Sequence, residues 1–256
     1  MSEERSGHYA MTIPLPTPLS EQGPGLRELV DLGYKEVWSS EANGADAFLP
    51  LSLAAVHAPE LRLGTAIVPA YTRGPALLAQ SVATMASIAP GRFAFGVGSS
   101  SNVIVEHWNG IPFTDPYKKT RDVVRFLKQA LTGEKISVDY ETLEVKGFRL
   151  GIAPPEREVP ILIAALREGM LRLAGREGDG AIINWLSAED VKTVAKIVHD
   201  QGADKEIVAR IFVCPNPDTE TVLRDGKRAI AAYLNVPVYR AFHEWLGRTE
   251  QLQDHW

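Results

Sequence analysis

One cysteine, Cys214, is the only thiol in 256 residues. An internal disulfide and any multi-cysteine metal site are thereby excluded, and such sparing use fits a reducing cytoplasm. No uninterrupted apolar run approaches the ~18 residues that a membrane-crossing helix needs. The first ten residues, MSEERSGHYA, lack the basic-then-apolar order of a signal peptide. Positive charge is also short: 27 Lys and Arg stand against 32 Asp and Glu, a net charge of −5. A nucleic-acid surface would show the opposite balance. No His/Asp/Glu spacing suits a metal ion, and the predicted strand cores hold no lysine for a Schiff base. The expectation is a cytoplasmic protein that takes a small molecule and has no nucleic-acid, membrane or metal partner.

What is present is an ordinary globular balance, 45% hydrophobic and 23% charged, enough to bury a sizeable core. Strand-like and helix-like segments alternate. Strands are predicted at residues 10–15, 36–39, 61–68, 92–97, 160–164, 181–185 and 208–213. Helices are predicted around residues 26–32, 46–57, 74–89, 116–131, from about 169 onward, 219–234 and 238–246. Gly33 stands where a helix C-cap glycine belongs, and Pro59 and Pro90 stop two others. This rhythm implies a parallel sheet curled into a barrel. Residues 135–150 interrupt it with two alternating runs about Glu141 and Thr142, an inserted β-hairpin near 136–150. The fold expected is α/β, a TIM-type (β/α)8 barrel lacking its C-terminal eighth strand, as one domain over residues 1–256. Seven barrel strands leave two open edges. Either the chain is incomplete at its C-terminus, or the gap is covered by residues 10–15 shifting, by the hairpin, or by a partner subunit.

Function in such a barrel collects at the C-terminal ends of the strands. Two of those ends carry almost no side chain. The fourth ends in Gly98, Ser99, Ser100 and Ser101. The fifth runs through Ala164, Ala165, Leu166, Arg167 and Glu168 to Gly169, straight into a helix. The first N–H groups of that helix have no internal partners and carry positive partial charge, as a phosphate site requires. Small residues there also permit tight packing of helix on strand. The serine hydroxyls of the other loop add donors to the same kind of cradle.

The stretches GYKEVWSSEANGADAFLPLSLAA, LRLGTAIVPAYTRGPALLAQSVATM, SIAPGRFAFGVGSSSNVIVEHWNGIPF and VPILIAALREGMLRLAGREGDGAIINWLS resemble the luciferase-like monooxygenase superfamily. Within it they are similar to the branch of deazaflavin (coenzyme F420)-dependent oxidoreductases. The likeness covers roughly residues 26–247, in order. It implies a cofactor ring in the barrel mouth, with the phosphate against residues 164–169 and 98–101. It also implies a bulge with a non-prolyl cis peptide at Ala66–Ile67, following Thr65, behind the ring. By the same resemblance the protein is an F420-dependent enzyme and a homodimer or larger homo-oligomer.

Glu41, after the second strand, is the candidate catalytic residue: it can bond the cofactor or move a proton, or else cap the next helix. Asn43 beside it is a second cofactor candidate and an equally good turn residue. Tyr71, His107, Trp108 and Trp185 are candidates for the substrate pocket. Arg73 and Arg167 are placed to meet an acidic cofactor tail. Cys214 is expected to pack as a small hydrophobe. Ser101 stands where the best-known deazaflavin dehydrogenases carry a glutamate, so sugar-phosphate oxidation of that type is not expected. The reading is hydride transfer between F420 and a small organic substrate. The alternatives are an FMN-dependent monooxygenase using reduced flavin and O2, and a catalytically inert flavin-binding relative.

Overall fold

Residues 8–248 are described by the computed structural model. The first half holds β1 (Ala10–Thr12), α1 (Gln22–Asp31), β2 (Glu36–Ser39), α2 (Phe48–His57), β3 (Arg62–Thr65), β4 (Val68–Pro69), α3 (Pro75–Ile88), β5 (Phe93–Gly98) and α4 (Pro116–Ala130). The second half holds β6 (Ile136–Asp139), β7 (Glu144–Phe148), β8 (Ile161–Ala164), α5 (Glu168–Glu177), β9 (Gly180–Asn184), α6 (Ala188–His199), β10 (Glu206–Arg210), α7 (Thr219–Leu234) and α8 (Pro237–Trp245). The sheet runs β1-β2-β3-β5-β8-β9-β10, with β4 also paired to β5, and every pair is parallel. β2 and β5 are buried at every position; β5 accordingly reads as a continuous apolar run instead of an alternating one, while β2 holds Glu36 and Ser39 with their polar atoms hydrogen-bonded.

Two cores result. Helices press on the outer face of the sheet around residues such as Leu51, Leu78, Phe95 and Phe126. The inner face, set by the register, gathers Trp38, Ala94, Leu162 and Ile182 with Val208 and Ala164 against them. Trp38 fills much of that interior. Gly64 and Gly96 are glycine because a Cβ at either would run into the Trp38 ring or the Thr65 carbonyl, respectively.

Below this layer the interior is charged. Arg62 of β3 reaches across the barrel to Glu206 of β10 through two bonds, Nη1–Oε1 at 2.6 Å and Nη2–Oε2 at 2.7 Å. It also donates to Glu36 at 3.0 Å. Glu36 accepts from Trp38 Nε1 at 2.9 Å. A planar guanidinium suits this two-sided, bidentate task.

The seven-strand count stands, and among the described residues β1 and β10 each pair on one side only. Neither of two expected covers closes the gap. β1 pairs with β2 alone, and the hairpin packs beside α3 and α4. Instead α7 and α8 flank the opening, with Tyr233, Val236, Val238, Tyr239 and Trp245 on the cavity wall. Two strand ends differ from expectation. β1 stops at Thr12, before a cis Ile13–Pro14 peptide. β10 stops at Arg210, its last register partner being Asn184. Trp185 takes a left-handed φ of +59°, so β9 turns away and offers no further backbone to pair. Ile211 and Val213 are therefore exposed, 77% and 79%, and Cys214 is exposed with them. The expectation that Cys214 packs inside is corrected.

The hairpin is antiparallel, with Ile136 and Val138 buried and Ser137 and Asp139 out. Its turn is tied to α4 by Asp122, fully buried, which accepts from the Thr142 N–H at 3.0 Å and its hydroxyl at 2.9 Å.

At the other end, α8 is anchored by the fully buried Phe242. Arg248 donates to both oxygens of Asp190, at 2.8 and 2.6 Å, and to Nδ1 of His243 at 3.2 Å. Burial first, then the Arg248 charge, push the His243 imidazole below its usual 6.5, against the pull of Asp190. The unfolded chain therefore takes up this proton first. Stability is full above about pH 6.5 and declines as the pH falls through that value towards the folded pKa. Replacing His243 with Gln should flatten the decline in melting temperature between pH 7 and 5. An unchanged slope would place the effect elsewhere.

Candidate active site

The C-terminal strand ends open into a cavity of about 1850 Å³ that continues down the interior to the gap between β1 and β10. This exceeds the ~300–1,000 Å³ of ordinary small-ligand pockets, and so accommodates a long ligand.

Two loops of small residues face it. Ser99, Ser100 and Ser101 line the cavity after β5. Ser100 has φ +62°, a left-handed turn that carries the chain into a π-helical segment, Val103–Trp108. Beside it, after the neighbouring strand β8, Ala164, Ala165, Leu166, Arg167, Glu168 and Gly169 all line the cavity. Arg167 takes the N-cap position of α5 without a side-chain cap, whereas α6 and α7 are capped by Ser187 and Asp218. The leading N–H groups of α5 thus have no intrahelical acceptor and no side chain over them. A Cβ on Gly169 would meet nothing within 4 Å. An uncapped helix N-terminus beside three serines is a donor set that fits a phosphate. Glu168 does not oppose it unscreened, because Arg172 pairs with it at 2.7 Å.

Gly98 does not line the cavity. A Cβ there would approach that of Ala164 to 2.8 Å, so its smallness serves the contact between strands. Thr65 is likewise turned into the sheet, its hydroxyl donating to the Gly96 carbonyl at 2.9 Å and accepting from the Gly96 N–H at 2.8 Å. The Ala66–Ile67 peptide is cis, and both residues line the cavity. The bulge is held from below, Ala66 N–H donating to Ser39 O at 2.6 Å and Glu41 N–H to Ile67 O at 3.0 Å.

Glu41 lines the same wall. Its Oε1 accepts from Arg73 Nη2 at 2.6 Å and Nε at 3.3 Å, and more weakly from the Ala47 N–H at 3.4 Å. Arg73 also stands 3.6 Å from Asp46 and lies over the Phe48 ring, 4.9 Å from its centroid. Arg73 is therefore an orienting partner of Glu41 and not a free rim charge, and Oε2 remains available to a ligand. Asp46 accepts from the N–H groups of Phe48 and Leu49, so the helix cap falls mainly to it.

The remaining candidates lie off the cavity. Asn43 is exposed in the β2–α2 loop. Tyr71 is buried, its hydroxyl donating to Thr114 O and its ring on Phe113; burial, then the Asp115 charge, push it up to about 12. His107 and Trp108 project outward from the π-helical segment, whose Val105 is the side chain packed inward. Trp185 stands behind the wall, stacked on Phe212 at 4.1 Å and tilted against Tyr233 at 4.4 Å. Sequence reasoning missed the wall itself: Asn184, Phe212, Tyr233, Tyr239 and Trp245 line the cavity. Residues 219–234 and 238–246 read in the sequence only as helices. Tyr239, with its polar tip among apolar neighbours, was the available signal.

The profile of a family described as luciferase-like monooxygenase matches residues 7–256. A 5,10-methylenetetrahydromethanopterin reductase from Archaeoglobus fulgidus is 31% identical over 68% of this chain and 52% of its own length. An F420-dependent glucose-6-phosphate dehydrogenase from Mycobacterium avium is 30% identical over 78% of this chain and 68% of its own. The chain thus spans about half the length of the first relative and two-thirds of the second. The solved structure of a coenzyme F420-dependent tetrahydromethanopterin reductase from Methanopyrus kandleri superposes with a TM-score of 0.71. It is 20% identical and covers 81% of this chain and 65% of that one, which supports the barrel fold.

Proposed function

The chain belongs to the luciferase-like monooxygenase family, and on that premise we propose that it is an oxidoreductase passing hydride between coenzyme F420 and a small organic substrate. The observation that carries the reading is the uncapped N-terminus of α5 beside Ser99–Ser101 on the wall of one cavity. The names of the curated relatives favour the deazaflavin over FMN. When bound, a deazaflavin supplies a ring carbon that takes or gives a hydride.

The chain's own residues do the rest. The α5 amides and the serines hold the phosphate. The bulge at Ala66 and Ile67 offers an apolar backing for a ring. Glu41, kept in one orientation by Arg73, moves a proton at Oε2 as the substrate's charge changes. Glu41→Gln keeps the shape and removes the proton site. It should lower kcat about 100-fold or more and change F420 affinity by less than about threefold. Equal loss of binding and turnover would reduce Glu41 to an anchor of the β2–α2 loop.

Titration of the purified chain with F420 and with FMN, followed by fluorescence, tests the cofactor. Binding of F420 at least ten times tighter than FMN is expected. Preference for FMN, with oxygen uptake once a reductase supplies reduced flavin, would move the protein to the monooxygenase reading.

A further inference from the structure

The cavity is not uniform. Away from the phosphate cradle it becomes a lobe walled by Phe212, Tyr233 and Tyr239. These rings form one connected cluster with Trp185 behind them, Trp185 stacked on Phe212 and Tyr233 meeting Tyr239 edge to face at 5.0 Å. At the β9 end of this wall Asn184 is polar and incompletely bonded, and the Trp185 Nε1 behind it is likewise buried with no partner among the described residues. Asn184 lines the cavity, and its Nδ2 donates to the Tyr239 hydroxyl at 3.2 Å. Its Oδ1 is buried with no partner among the described residues. A buried acceptor left empty costs stability, so a native structure keeps one where something else is meant to fill it. Because the Tyr239 oxygen accepts from Asn184, its own O–H is free to donate. The site therefore offers one acceptor and one donor side by side.

We propose that Asn184 and Tyr239 are a hydroxyl-recognition pair, and that the substrate is a flat, uncharged ring compound carrying a hydroxyl group. The hydroxyl proton goes to Asn184 Oδ1, and the hydroxyl oxygen accepts from Tyr239. The ring lies against the aromatic wall, where stacking rewards planarity. Arg210 is already placed over the Phe212 ring, 4.7 Å from its centroid, as an outer cover of the same wall. Calling the ligand a substrate rests on the oxidoreductase reading; the recognition pair does not.

Calorimetric titration of the full chain with 2-naphthol, 2-methoxynaphthalene and glucose 6-phosphate tests it, with F420 binding followed separately. 2-Naphthol should bind about tenfold tighter than its methyl ether, the worth of one such hydrogen bond. Asn184→Leu should bring that ratio close to one, leaving the methyl ether's affinity within about twofold, whereas Tyr239→Phe should weaken both ligands by a similar factor, because either ligand oxygen accepts from the Tyr239 hydroxyl. Tyr239→Phe conserves volume and so remains informative if Asn184→Leu does not fold. An undiminished ratio in Asn184→Leu, unweakened binding of both probes by Tyr239→Phe, no preference in the native chain, or tighter binding of glucose 6-phosphate would each overturn the pair. Native binding of F420 without a naphthol preference sinks this proposal and spares the cofactor reading. A naphthol preference that depends on Asn184, in a chain that does not bind F420, does the reverse.

Discussion

Gly169→Glu should weaken F420 binding by about 100-fold while the melting temperature stays within about 2 °C of native. The position allows a clean result, because a Cβ there meets nothing within 4 Å and Gly169 is exposed at the start of α5. Glutamate in a first helical turn is also a better helix former than glycine, so the fold gains slightly if anything. The binding loss has two parts. A carboxylate at this point cancels the positive end of the helix, and it stands next to the phosphate as a like charge. Roughly 2–3 kcal/mol for the two together is about 30- to 150-fold. Gly169→Ala is the control, with affinity unchanged. If Gly169→Glu binds F420 as the native chain does, the phosphate does not lie against α5, and the serine loop must be tested alone.

Arg62→Ala carries the largest expected loss of stability. It leaves Glu36 and Glu206 as two carboxylates confined to the barrel floor without their shared cation. Removing one partner of a buried ion pair costs ~3–5 kcal/mol, but the Arg62 and Glu206 side chains are 27% and 34% exposed. Solvent screening lowers the figure to about 2–3 kcal/mol. For a domain of this size that corresponds to a fall of roughly 4–10 °C in melting temperature. The loss is also mechanical, since Arg62 links β3 to β10 across an interior whose β1 and β10 edges do not pair. The pH dependence has a definite sign. In the variant the two carboxylates repel, and that penalty exists only while both are ionised. It should shrink as the pH falls from 7 to 4. A variant penalty that is constant over that range would show that lost packing, not charge, is responsible.

Much of the architecture was legible because the physics behind it is local. A strand buried on both faces reads as a mostly apolar run, as FAFGVG does, and a helix over the sheet must repeat every 3.6 residues. Ala164, Ala165 and Gly169 stand out as small residues before a helix start, and residues 164–169 do line the cavity. Glu41 was legible as a candidate, but not its pairing with Arg73, 32 residues on. His107 and Trp108 looked like pocket residues by composition. The π-helical turn rotates them outward, and no local pattern in the sequence marks a π-turn.

The sequence by itself therefore determined the alternation of strands and helices, the inserted hairpin and the position of the two bare loops. Each depends on propensity and burial within a dozen residues. Only the tertiary structure decided which distant groups meet. Arg62 finds Glu206 144 residues away, and Asn184 finds Tyr239 55 residues away. Those meetings follow from the strand register and from how far the sheet curls before its edges stop. A shift of one residue in either would turn the same side chains to the other face of the sheet.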